Sequence, residues 1–158
     1  MLCLQNLYYQ NNVRLMVIGN RKQFGEALCV EIEAAERLTA RNTGLTLTIA
    51  ANYGGRWDVL QAVNAMQQAN PLQAEEYTEE ALAPYLSMYY APEPDLFVRT
   101  GGEKRISNFL LWQLAYAELY FTDVLWPEFD TNQMGLALEW YQTRQRRFGR
   151  VEGAVLSS

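Results

Sequence analysis

Short apolar runs alternate along this chain with longer stretches in which apolar residues recur every three or four positions. Val13 to Ile18 is an apolar run ended by Gly19-Asn20, and it predicts a strand. From Gln23 to Ala40, the residues Phe24, Ala27, Leu28, Ile32, Ala35 and Leu38 fall at helical spacing, with Glu26, Glu31, Glu33 and Glu36 on the opposite face. Asn42-Thr43-Gly44 ends that helix. Leu45 to Ala51 (LTLTIAA) is rich in β-branched residues and predicts a second strand, followed by a loop, Asn52 to Arg56, and a helix from Trp57 to Ala69. Between Asn70 and Ala91 the pattern supports only a short helix near Thr78 to Ser87. Leu96 to Arg99 reads as a third strand, Ser107 to Leu114 as a short helix and Glu118 to Thr122 as a fourth strand. Asp130 with Gln133 three residues later has the form of a capping box, opening a last helix that runs to about Phe148. Strands alternating with helices predict an α/β fold, a mostly parallel β-sheet covered by helices on both faces, in which ligands gather at the carboxyl ends of strands.

Composition narrows this picture. A chain of 158 residues with 49% hydrophobic and 20% charged positions predicts one domain over 1–158 with a real core, and a disordered tail at 150–158. A net charge of −5 argues against nucleic-acid binding. The basic residues lie mainly in two local groups, Arg99 to Arg105 and Arg144 to Arg150, sized for small anions. Cys3 and Cys29 form no metal-ligand spacing and no disulfide scaffold, which points to a reducing cytoplasm. Histidine is absent, so any chemistry falls to carboxylates, arginines and backbone groups. No apolar run approaches the roughly 18 residues of a membrane span.

The densest chemistry lies between Pro94 and Asp123. The Leu96-Phe97-Val98 strand runs into Arg99, Gly101-Gly102 offer a loop whose backbone can approach a ligand, and Arg105 adds a second fixed positive charge. Ser107 stands where it can cap the helix predicted from Asn108 and leave that helix's amides facing an anion. Two guanidinium groups beside a helix start predict a diphosphate ligand. Taken alone, arginines at a strand end read first as surface ion-pair formers. Glu118, between Ala117 and Leu119, needs either a metal or an arginine partner, because an unpaired carboxylate among apolar residues is costly. Trp112, Tyr116, Tyr120 and Phe121 read as core or subunit-interface residues. Asn52, Gly54, Gly55 and Arg56 read equally well as a tight turn or as ligand contacts. Arg144 and Arg146 read as a solvated helix end favoured by the helix dipole.

Three long blocks go further: IAANYGGRWD at 49–58, PDLFVRTGGEKRISNFLLWQLAYAELYFTDVLWPEFD at 94–130, and RQRRFG at 144–149. In that order they closely resemble bacterial undecaprenyl diphosphate synthases, the cis-prenyltransferases, over nearly all of Val13 to Gly149. The resemblance implies a transferase that adds isopentenyl diphosphate units, with cis double bonds, to an allylic diphosphate such as farnesyl diphosphate. Its product is a long lipid carrier for peptidoglycan synthesis. Arg99 and Arg105 match the arginines that bind the diphosphate of isopentenyl diphosphate, and Ser107 matches the serine beside them. Glu118 matches the carboxylate that helps hold Mg2+ near that diphosphate. Arg147-Phe148-Gly149 is similar to the family's C-terminal element, implying that Arg147 and Gly149 reach the substrate site across a homodimer interface. Lys104 stands where the family often has histidine, a minor departure that keeps a polar group. The implied location is cytoplasmic and peripheral at the inner face of the membrane, in contact with the lipid product.

One family block has no counterpart here. The Asp-Gly-Asn-Gly-Arg-Trp type loop, which in the family supplies the magnesium-binding aspartate and holds the allylic diphosphate, does not occur in this sequence; Gly19-Asn20-Arg21 lacks the aspartate and follows a later strand. The resemblance therefore implies a chain that begins part-way into a complete member. It predicts no catalytic aspartate, an uncovered sheet interior with an unpaired edge, and no turnover by this polypeptide alone. The alternative is a non-catalytic partner subunit of a heteromeric cis-prenyltransferase, against which the retained block at 99–107 argues.

Overall fold

The computed structural model describes residues 2–69 and 77–144, which group into two compact units, 2–69 and 77–92 with 107–113, and 93–106 with 114–144. In the first unit, helix α1 (Leu2–Gln10) precedes strand β1 (Arg14–Ile18), a short 3-10 turn at Arg21–Gln23, helix α2 (Glu26–Thr39) and strand β2 (Thr46–Ala50). The strands pair in parallel, Arg14 opposite Thr46 and Ile18 opposite Ala50. Both lie within a residue of their predicted bounds. Helix α1 was not predicted, since LCLQNLYYQ carries no capping residue and little polar contrast between faces.

Alternation along β1 turns Leu15 and Val17 toward α2, whose Ala35 is buried, while Leu28 and Leu38 stay substantially exposed. Between them lies an apolar groove of about 300 Å³, lined among others by Tyr8, Val17, Phe24, Leu28, Ile32 and Ile49. The partly uncovered apolar interior agrees with expectation, and among the described residues no strand pairs with the outer edge of β1, but the amides along it are not left open. Along the edge of β1 that faces away from β2, Leu15 N donates to Thr39 Oγ1 at 3.0 Å and Val17 N donates to Glu36 Oε1 at 2.8 Å. Side chains of α2 thus occupy amides that would otherwise be open to another strand. Arg21 Nη2 donates to both Glu36 Oε1 and Val17 O at 2.6 Å, fixing that carboxylate in place.

Helix α3 (Gly55–Ala69) starts two residues before its predicted first turn, and α4 (Glu79–Leu82) with a 3-10 turn at Ala83–Tyr85 forms the short helix expected near Thr78. Thr78 caps α4, its Oγ1 accepting from Ala81 N at 3.2 Å. Ala62 and Met66 of α3 pack with Leu82 and Leu86, and Trp112 closes over this cluster, a core role as expected.

The second unit holds strands β3 (Leu96–Arg99) and β4 (Glu118–Phe121), a 3-10 turn at Trp126–Glu128 and helix α5 (Thr131–Gln142). These strands are also parallel, with Leu96 opposite Glu118 and Arg99 opposite Phe121. Asp130 opens α5 as predicted, its Oδ1 accepting from Gln133 N at 3.0 Å. Tyr120 meets Trp140 of α5 with ring centres 5.2 Å apart, so α5 covers the Glu118/Tyr120 face, while Phe97 and Phe121 meet edge-on at 6.2 Å on the other. The fold is mixed α/β with parallel strands, described as two two-stranded sheets. Among the described residues no helix is long and apolar enough to cross a membrane.

Candidate functional site

Of the two predicted arginines, Arg99 ends β3 and Arg105 lies on the loop that leaves it. Gly101 and Gly102 have φ of 83° and 77°, a left-handed backbone that glycine adopts without strain, and they turn the chain immediately after Arg99. Their amides do not face a ligand as expected: Gly101 N donates to Val124 O and Gly102 N to Thr122 O, both at 2.9 Å. The glycines serve the turn, and these bonds fasten the loop to the segment after β4. Arg99 Nη1 donates to the main-chain oxygen of Arg105, and Arg105 forms an ion pair with Glu103 Oε2. Both members of that pair are largely exposed, so solvent screens it and an anionic ligand can compete for the guanidinium.

The helix predicted from Ser107 to Leu114 does not form. Ser107, Asn108 and Leu110 have φ of 48°, 63° and 43°, outside the helical region, and the segment runs as successive turns. Ser107 therefore caps no helix, and no helix amides point at an anion there. Asn108 instead caps α3: Gly55 N donates to Asn108 O at 2.6 Å and Arg56 N donates to Asn108 Oδ1 at 2.9 Å. This cap explains the early start of α3 and gives the Asn52 to Arg56 segment its turn role. Asn52, with φ 49°, also ties to the end of β1, its Nδ2 donating to Asn20 O at 2.9 Å.

Glu118 lies apart from Arg99. The register places it opposite Leu96, three residues or about 10 Å along the strands from the Arg99 level, and alternation turns it to the opposite face. Of the two partners expected for it, the structure supplies the arginine: Arg144 Nε donates to Glu118 Oε2 at 3.0 Å, with the Arg144 guanidinium 5.1 Å from the Trp140 ring centre. Arg144, just past the end of α5 and half exposed, is thus also held by a carboxylate and an aromatic face, which its reading as a solvated helix end did not include. Arg146, Arg147 and Gly149 lie outside the described residues.

The most constrained polar group went unnoticed in the sequence. Asp58 is 1% exposed, and its Oδ1 accepts from Gln61 Nε2 at 3.0 Å, Ser87 N at 3.0 Å and Ser87 Oγ at 2.6 Å. Its Oδ2 accepts from Tyr53 Oη at 2.8 Å and Gln113 Nε2 at 3.2 Å. One signal was available: Asp58, Ala62 and Met66 follow at intervals of four on α3, which puts a carboxylate at the head of a buried stripe. Burial, then the hydrogen bond to Asp58 and its charge, raise the Tyr53 phenol well above its ordinary value, although a hydrogen bond from Gln113 works the other way. A tyrosine raised in the folded state contributes stability that is intact below the unfolded value near 10 and is lost as pH climbs beyond it. Tyr53→Phe is therefore expected to flatten the fall in urea midpoint above pH ~10. An alkaline slope identical to that of the parent would refute the assignment.

A family model described as "Putative undecaprenyl diphosphate synthase" matches residues 3–149. An isoprenyl transferase from Neisseria meningitidis serogroup A is 60% identical over 143 residues, covering 90% of this chain and 56% of that protein. A ditrans,polycis-undecaprenyl-diphosphate synthase specific for (2E,6E)-farnesyl diphosphate, from Vibrio cholerae, is 51% identical over 144 residues, covering 89% of this chain and 58% of its own length. The chain thus spans little more than half the length of these curated relatives. Among solved structures, a probable undecaprenyl diphosphate synthase from Campylobacter jejuni superposes with a TM-score of 0.83 at 31% identity, over 92% of this chain and 67% of that one. Lavandulyl diphosphate synthase from Lavandula x intermedia, in complex with dimethylallyl diphosphate, gives 0.84 at 33%, over 93% and 65%. With its parallel strands, arginine loop and matched length, the chain belongs to the undecaprenyl diphosphate synthase family of isoprenyl transferases.

Proposed function

We propose that this chain carries the isopentenyl diphosphate half of a cis-prenyltransferase site. The observation that supports the reading is that Arg99, at the carboxyl end of β3, donates to the main-chain oxygen of Arg105, so that two arginines stand at the two ends of one glycine-turned loop. Planar guanidinium forks fix both the position and the rotation of a phosphate, which an otherwise featureless five-carbon substrate needs in order to present its alkene. In the reaction that alkene attacks the allylic carbon, a carbon–carbon bond forms as the allylic carbon–oxygen bond breaks and diphosphate leaves, and a proton is lost to give the new double bond. Arg105 must exchange Glu103 for the diphosphate. Family resemblance assigns Ser107 to the same ligand, and Arg147 and Gly149 to a neighbouring copy's site in a homodimer. The apolar groove between α2 and the first sheet has the lining that a polyprenyl chain requires.

Magnesium, when bound, would offset charge growing on the departing diphosphate. Family resemblance alone assigns Glu118 to the ion, because in this structure it faces away from Arg99 and pairs with Arg144, and among the described residues no cluster of three metal-binding side chains surrounds it. Holding the ion requires Glu118 to release Arg144. Glu118→Gln is expected to raise the magnesium concentration needed for half-maximal isopentenyl diphosphate binding, and superimposable metal titrations of variant and parent would remove Glu118 from the metal site.

The direct test is calorimetric titration of the purified chain with isopentenyl diphosphate, with and without magnesium. Saturable binding that inorganic diphosphate displaces is expected. Heats no larger than those of dilution would overturn the reading.

A further inference from the structure

Three non-glycine residues within Ser107–Leu110 hold a left-handed backbone. Conformations of this kind persist where the surroundings over-determine them, and they collect at functional sites. The surroundings here are the first turn of α3, whose Gly55 and Arg56 amides both end on Asn108. The fit is close on each side. A Cβ on Gly54 would stand 2.7 Å from Asn108 Nδ2, and one on Gly55 would stand 2.6 Å from Leu111 Cγ and 2.8 Å from Leu111 N.

A helix is ordinarily capped by the residue just before it, and serine, threonine, aspartate or asparagine at position 54 would suffice. This chain has glycine there and draws its cap from Asn108, 52 positions beyond the capped Arg56 amide. Asparagine meets both demands of position 108, because it tolerates a left-handed backbone better than most residues and carries a capping acceptor. The consequence is that the backbone next to Ser107 is anchored to a helix of 15 residues, itself fixed by the Asp58 network that includes Gln113 at the other end of the same segment.

We propose that Asn108 is a positioning residue for substrate binding: by capping α3 it holds Ser107, which the family resemblance assigns to the diphosphate of isopentenyl diphosphate, in its left-handed conformation. This inference rests on the functional reading above. Asn108 acts through Ser107 and does not itself touch the ligand.

The test is a double-mutant cycle read as the Kd of isopentenyl diphosphate for the whole chain, with thermal melts alongside. Asn108→Gly removes the side-chain acceptor while leaving the positive φ unstrained. Gly54→Ala crowds the Asn108 carboxamide without altering residues 107–113. Each is expected to weaken binding about tenfold in the parent and by less than about twofold in a Ser107→Ala background, as for two residues that act as one unit. If Asn108→Gly does not melt cooperatively, the Gly54→Ala arm decides alone. An unchanged Kd overturns the inference, as does an equal loss in both backgrounds, which would mark a general effect on folding. A parent chain that does not bind isopentenyl diphosphate overturns the functional reading and this inference with it.

Discussion

Replacing Asp58 with alanine is expected to lower folding stability by about 3 to 5 kcal/mol, the range for removing one member of a buried, charge-assisted network. Five donors end on this carboxylate, from Tyr53, Gln61, Gln113 and both the amide and hydroxyl of Ser87. With alanine they lose this buried acceptor, although Gln61 Nε2 keeps Tyr85 O at 2.9 Å, and each donor left stranded costs of order 1 to 3 kcal/mol before relaxation. For a chain of this length the melting temperature should fall by about 10 °C or more. Asp58→Asn should be much milder, about 1 to 2 kcal/mol, because its neighbours can adapt. The Tyr53 hydroxyl can reverse, and Gln113 Oε1, buried without a hydrogen-bond partner, can turn to accept from the new amide. Urea denaturation of the two variants checks this. An alanine cost below ~1 kcal/mol, or an asparagine cost equal to it, would show that the network is not the element holding the first unit together.

Arg99→Ala is expected to weaken isopentenyl diphosphate binding roughly ten- to a hundredfold, the equivalent of one charge-assisted contact of about 1.5 to 3 kcal/mol. Two effects combine in that loss. The guanidinium no longer meets the ligand, and the main-chain oxygen of Arg105 loses its donor, which loosens the loop that presents the second arginine. Arg99→Lys should fall between, keeping the charge but not the fork. The control is Arg37→Ala, which removes the same charge from an exposed i,i+4 pair with Glu33 and should change Kd less than about twofold. A loss in the control as large as that at Arg99 would reduce the effect to net charge, and an unchanged Kd for Arg99→Ala would remove the arginine from the site.

The four strands were legible because each is a short apolar run bounded by glycine, asparagine or a charged residue, and Asp130 was legible because a capping box is a local device. The family was legible because its blocks are long and keep their order. Position 107–114 misled for a physical reason: Phe109, Leu110, Leu111 and Leu114 have helical spacing, but Ser107, Asn108 and Leu110 take left-handed angles once Asn108 docks on α3, and tertiary contact overrides local propensity. The glycine pair misled similarly, since a sequence shows that backbone can approach something without showing that the something is Thr122 and Val124.

By itself, then, the sequence determined the α/β alternation, the strand positions and the family, all of which depend on neighbours within a few residues or on long matched blocks. Only the tertiary structure decided where hydrogen bonds between distant segments go: Asp58 to Ser87 and Gln113, Asn108 to the start of α3, Glu118 to Arg144 and away from the Arg99 level. Those choices are set by which groups burial deprives of water, and a buried donor or acceptor takes whatever partner the packed chain brings within reach, however far away it lies in sequence.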